Sequence, residues 1–115
     1  MLVPLQITVR DIQHSEALEA RIREKAAKLE TLHPGITSCR VTVEAAHRHH
    51  HQGRQFQVRI DLRVPGHEIV ASRDHDEDPY VALREAFDAA RRQLEELERG
   101  HRVDTRAAVR PPGEA

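Results

Sequence analysis

Tryptophan is absent from the 115 residues, and aromatic side chains together make up only 3% of them. A core in this chain therefore has to be built from Val, Ile, Leu and Ala. Cysteine occurs once, at Cys39, which excludes an intramolecular disulfide and suits a cytosolic chain. No apolar run approaches the roughly 18 residues of a membrane-spanning helix, and the first residues lack the charged-then-apolar pattern of a signal peptide. An excess of charge is missing too. Lys and Arg number 18 against 19 Asp and Glu, a formal net charge of −1, with a sequence pI of about 6.8. That total speaks against a nucleic-acid binder. What is abundant is charge of both signs, 32% of residues, which suits a heavily solvated surface around one small core.

Residues Leu5 to Arg10 alternate, with Leu5, Ile7 and Val9 on one side and Gln6, Thr8 and Arg10 on the other, as in a strand with one buried face. Ser15 is placed to cap a following helix, with Glu16 and Glu19 at its positive end. Leu18, Ile22, Ala26 and Leu29 recur at helical spacing, and Pro34-Gly35 ends the helix. A second strand spans about Cys39 to Ala45. In the third, Phe56, Val58, Ile60, Leu62 and Val64 alternate with polar residues. Pro65-Gly66 then turns the chain into a fourth strand, His67 to Ser72. An acidic loop of Asp74, Asp76, Glu77 and Asp78 leads to a second helix with Pro79 at its first position. Its core face is Leu83, Ala86, Phe87, Ala90, Leu94 and Leu97, and Gly100 is read as its stop. Residues 101–115 lack apolar periodicity and carry Pro-Pro-Gly, and are expected to be a disordered tail behind a domain of residues 1–100. The order β-α-β-β-β-α predicts an α+β two-layer sandwich, a four-stranded sheet with two helices on one face. The opposite, wet face would carry Arg40, Thr42, Glu44, Arg59, Asp61 and Arg63, with opposite charges paired across strands.

Net charge hides arrangement. On the first helix Arg21, Lys25 and Lys28 fall at i, i+4 and i+7 and form one stripe beside the apolar face, with Glu19, Arg23 and Glu30 on the other flank. On the second helix Arg84 and Arg91 share one line and Arg92 and Arg99 another. Asp88 and Glu95 lie beside the first line, Glu85 and Glu96 beside the second. Two arrangements fit. The charges pair along each helix as ordinary surface ion pairs, or the stripes of two helices packed in parallel converge into a basic cleft, where several cations act together on phosphates. Periodicity leaves both open.

Particular segments narrow the choice. The first helix has Ala17-Leu18, Ile22, Lys25 and Lys28-Leu29-Glu30. The third and fourth strands carry Val64-Pro65-Gly66 and Ile69-Val70-Ala71-Ser72. The second helix opens on an acidic residue and Tyr80, then Ala82, and later Arg92-Gln93-Leu94. In order and spacing, over residues 5 to 94, these pieces resemble the family of ribosome hibernation-promoting factors and ribosome-associated inhibitors, which also carries the older label of sigma-54 modulation protein. The resemblance implies a fold related to the double-stranded RNA-binding domain. It also implies binding to the small ribosomal subunit and its ribosomal RNA in the decoding channel, over the transfer-RNA and messenger-RNA sites. Ribosomes so occupied are stored inactive during stress or stationary phase. A rigid wedge that reads RNA shape and phosphates needs no base code. A cytoplasmic monomer is expected, with no catalysis, cofactor, membrane partner or DNA partner.

Position by position, Lys25, Lys28 and Arg92 match basic positions of the family, and Tyr80 matches an aromatic one, although Tyr80 also suits packing under the helix start. Arg21, Arg84, Arg91 and Arg99 join the RNA-binding set on stripe geometry only. There are departures. Ala89 stands where the family usually has Lys, and Glu95, Glu96 and Glu98 stand in place of a run of Lys. Fewer neutralised phosphates predict weaker binding with a shallower salt slope. The long form of the family has a C-terminal dimerisation domain for which this sequence is too short, so a short form is expected.

The segment His47-Arg48-His49-His50-His51-Gln52-Gly53 joins the second and third strands. His47, His49 and His51 could share one side and hold Zn, Cu or Ni, although a structural zinc site usually needs four placed ligands, often with Cys. Alternatively Arg48, His49 and His51 form an accessory RNA contact that gains charge as pH falls towards ~6, or the loop is simply solvated. A His-loop metal-binding regulator on the same fold is thus the competing function. An RNA-modifying enzyme lacks a defined acid–base pair among His67, His75 and the acids 74–78, and Cys39 lacks a catalytic neighbour. Sequence-specific DNA reading lacks any helix-turn-helix or finger spacing.

Overall fold

A computed structural model describes residues 4–13, 15–46, 55–76 and 78–109. In it the alternating segments become β1 (Leu5–Arg10), β2 (Ser38–Ala46), β3 (Gln55–Val64) and β4 (His67–Asp76), and the two periodic segments become α1 (Glu16–Leu32) and α2 (Pro79–Val109). The strands lie in the order β1-β2-β3-β4. β1 and β2 are parallel, with α1 as the crossover between them, and the other two pairs are antiparallel.

The period of two places Val41 and Val43 of β2 beside Val58, Ile60 and Leu62 of β3 on one sheet face, all at 0% exposure. Leu18, Ile22, Ala26 and Leu29 of α1 cover this face together with Leu83, Ala86, Phe87, Ala90 and Leu94 of α2. Each fully buried Val, Leu or Ile contributes about 1.5–3 kcal/mol, so a nearly ring-free core suffices. The expected α+β sandwich, with both helices on one face of a four-stranded sheet, is present.

The local signals act as chemistry requires. Ser15 Oγ accepts the Leu18 N–H at 3.2 Å, satisfying one orphan donor of α1. The His33 N–H donates to Leu29 O at 2.9 Å and closes the other end. In the β3–β4 turn Gly66 has φ 78°, the left-handed value that the second central position of a Pro-Gly turn demands. Asp78 Oδ1 accepts the Tyr80 N–H at 2.9 Å and so caps α2.

Two boundaries differ from expectation. β4 continues past Ser72 to Asp76, so Asp74 and Asp76 belong to a strand, not a loop. β3 begins at Gln55, and its first backbone groups need partners; the extended β4 supplies them up to Phe56↔Asp76, with an irregularity between Phe56 and Val58. α2 continues through Gly100 to Val109, so the backbone of 101–109 is helical where an unstructured tail was expected. A single interior glycine costs only about 1 kcal/mol, and no proline follows until Pro111. Residues 110–115, Glu77 and the histidine loop lie outside the described residues.

Candidate nucleic-acid interface

The two helices run side by side in the same direction, as three contacts show. The Arg21 guanidinium sits 5.9 Å from the centre of the Tyr80 ring. Further along, Lys25, Lys28, Leu29 and Leu32 of α1 face Phe87, Asp88 and Arg91 of α2 across a cleft of about 210 Å³. Last, His33 Nδ1 meets Glu98 Oε1 at 2.5 Å. Parallel packing thus brings the basic stripe of α1 against the Arg91 line of α2. Arg84 lies two helical turns before Arg91 and belongs to the same line.

Ion pairs run along both helices, and the basic stripe of α1 also faces the Arg91 line of α2. Arg23 pairs with Glu19 at 2.9 Å on the far side of α1. Arg91 has only loose contacts with Asp88 and Glu95, 3.9 Å each and solvent-exposed, which hold it weakly. Among the described residues, Lys25, Lys28, Arg84, Arg92 and Arg99 make no ion pair. The cleft lining therefore holds three cations, Lys25, Lys28 and Arg91, against the one carboxylate of Asp88, with Glu95 beside Arg91 and Arg21 further along at Tyr80.

Arg92 and Arg99 are not brought to this cleft. Arg92 is one residue on from Arg91, about 100° around the helix. Gln93, a further 100° round, donates to Val70 O of β4 at 3.1 Å, so Arg92 is exposed between the cleft side and the β4 side of α2. Arg48, His49 and His51 lie outside the described residues. Tyr80 is 37% exposed beneath Arg21, so its ring is open to a ligand as well as to the cation.

The departures from the family pattern fall unevenly. Ala89 is buried, about 200° from Arg91, so the missing lysine subtracts nothing from the cleft. Glu98 is engaged by His33, a partner 65 residues away that no local pattern reveals. Only Glu95 opposes a cleft cation directly. The sequence reading also passed over Leu32, which is 56% exposed at the end of the cleft wall.

The wet sheet face is also concave, about 540 Å³, but most of its positive charge is offset by acids on the same face. Arg10, Arg40, Arg59 and Arg63 share it with Glu44, Asp61 and Glu68. The pairing there runs along β3, Arg59 to Asp61 at 3.2 Å, and not across strands as expected; Arg40 Nε instead donates to Gln6 Oε1 at 3.3 Å.

Cys39 faces the core at 4% exposure. Burial, and secondarily the charge of Asp61, push its thiol up to about 11. The thiol is neutral at pH 7 and a poor nucleophile. A thiol reagent at neutral pH is expected to label Cys39 only as fast as the protein unfolds, and labelling as fast as that of a free thiol would contradict its placement. The folded state holds this proton more tightly than the unfolded chain, so the contribution of Cys39 to stability is intact below pH 9 and is lost as pH rises from about 9 to about 11.

Known proteins share both the sequence pattern and the fold. A ribosome hibernation promotion factor of Deinococcus radiodurans is 30% identical over 89 residues, covering 77% of this chain and 46% of the relative. The chain thus spans about half the length of that curated relative. A ribosomal subunit interface protein from Coxiella burnetii superposes with a TM-score of 0.71 at 17% identity, covering 84% of this chain and 98% of the other. The N-terminal domain of Protein Y from Thermus thermophilus gives 0.62 at 20% identity, covering 84% and 99%. These two likenesses establish the fold. Residues 5–102 match the family described as sigma 54 modulation protein / S30EA ribosomal protein, and the chain belongs to that family.

Proposed function

We propose that this domain is a ribosome-associated inhibitor of translation, working in the cytoplasm without catalysis. It binds the small ribosomal subunit through the α1–α2 cleft, near the decoding and transfer-RNA sites, and stabilises inactive ribosomes under stress. Residues 1–100 form the binding unit. One observation carries the reading: Lys25 and Lys28, free of ion pairs, converge with Arg91 across a single cleft. A near-neutral chain has little long-range attraction for RNA, so affinity must come from cations acting together at one place. The two-layer fold fixes the backbone that carries them, so the ordering cost of binding is confined to the side chains.

The test is co-sedimentation of the chain with purified small and large ribosomal subunits across a salt series. Binding to small subunits that weakens steadily as salt rises is expected. An absence of binding at low salt, or equal binding to both subunits, would overturn the proposal.

A further inference from the structure

The cleft is not uniformly polar. Leu32, the last residue of α1, stands in the same wall as Lys25 and Lys28, facing Arg91, with Phe87 and Leu29 largely buried at the floor. At 56% it is more exposed than Val9, Val70 or Tyr80. A lone exposed leucine is ordinary. One set among three cations is poorly placed for a surface that reads phosphates alone, because a fourth cation there would strengthen such a surface. Apolar surface beside cations instead matches an unstacked nucleotide, whose base has apolar faces and whose phosphates are anionic.

Size and layout agree. About 210 Å³ is below the ~300–1,000 Å³ of a drug-sized ligand pocket and suits a single ring system. At the other end of the cleft Tyr80 is 37% exposed beneath Arg21. From Arg21 to Leu32 is eleven residues of helix, a rise of about 16 Å. Two apolar platforms at that separation, with cations between them, fit a strand and not a lone mononucleotide.

Resting on the ribosomal-RNA reading above, we propose that the α1–α2 cleft holds an unstacked nucleotide of a single-stranded RNA segment. Its base packs on Leu32 above the cleft floor of Leu29 and Phe87, and its flanking phosphates meet Lys25, Lys28 and Arg91. The opposite end of the strand passes Tyr80 and Arg21.

Fluorescence anisotropy with the full chain tests this. The probes are a short mixed-sequence single-stranded oligoribonucleotide and a blunt RNA duplex with the same number of phosphates. The variants are Leu32→Lys and Leu32→Ala, each checked by thermal melting. Tighter binding of the single strand is expected. Leu32→Lys should weaken single-strand binding by about tenfold despite its added cation, and should leave duplex binding undiminished. Unchanged or tighter single-strand binding by Leu32→Lys would overturn the proposal, as would equal affinity for duplex and single strand or no measurable single-strand binding. If Leu32→Lys melts early, Leu32→Ala decides: a loss of single-strand affinity supports the proposal and no change overturns it. Small-subunit co-sedimentation separates the two levels. Wild-type binding to the subunit with no single-strand preference removes only the nucleotide assignment, whereas no subunit binding removes the parent reading.

Discussion

Replacing Lys25 and Lys28 together by Glu is expected to lower affinity for small ribosomal subunits by about 100-fold or more at moderate salt. Each cation that neutralises an RNA phosphate releases counterions and contributes about 0.7–0.9 to the log–log salt slope. Losing two should flatten the slope by about 1.5, and the two new carboxylates add repulsion in a cleft where Asp88 and Glu95 already partly offset Arg91. The fold should survive, because neither lysine makes an ion pair and both lie outside the buried core. Replacing Arg92 and Arg99 by Glu introduces the same formal charge outside the cleft lining, so a several-fold smaller effect is expected. Binding assays and melting curves of the two double variants check this. Equal losses would mean that the RNA surface wraps around α2 and does not centre on the cleft. A wild-type salt slope as steep as that of a lysine-rich relative would show that the acidic end of α2 does not thin the contact.

Ile60→Ala should produce the largest loss of stability, about 3 kcal/mol, without touching the cleft. Ile60 lies at the middle of β3 at 0% exposure, opposite Val41 on one side and Ala71 on the other. Removing a buried Ile side chain costs about 2–5 kcal/mol, because the transfer free energy is lost and the surrounding strands and helices close the cavity only in part. For a domain of this size that is a fall in Tm on the order of 15 °C, out of a total stability of about 5–15 kcal/mol. Urea unfolding with an unchanged slope and an earlier midpoint would bear this out. A loss under about 1 kcal/mol would mean that the two helices do not close over the sheet as described.

Most of the fold could be read along the chain because its signals are local and agree with one another. The period of two in Phe56–Val64, the Pro65-Gly66 turn and the 3.6-residue spacing of Leu18, Ile22, Ala26 and Leu29 each required a single arrangement, and together they left one architecture. The misjudged boundaries depended on weaker or non-local forces. Gly100 is a mild penalty inside a long helix, not a stop. The end of β4 is set by what β3 needs as a partner 20 residues earlier in sequence, Phe56 for Asp76. For the candidate site, the stripe Arg21, Lys25 and Lys28 was legible from helical geometry. Its convergence with Arg91, and the separation of Arg92 from it, required the parallel packing of two helices that share no local sequence. The same holds for Leu32, which local periodicity leaves as a helix-end leucine until Phe87 and Arg91 are seen to face it.

Exposed arginines lie on two sides of the molecule, at the cleft and on the wet sheet face. The most direct measurement is co-sedimentation with small ribosomal subunits of Lys25→Glu/Lys28→Glu beside Arg40→Glu/Arg63→Glu, at one salt concentration. Arg40 and Arg63 are exposed on the sheet face, where three acids offset most of the charge of four arginines. The cleft variant should be lost from the subunit fraction and the sheet variant retained. Retention of the cleft variant with loss of the sheet variant would contradict the assignment and move the ribosome contact to the opposite side of the molecule.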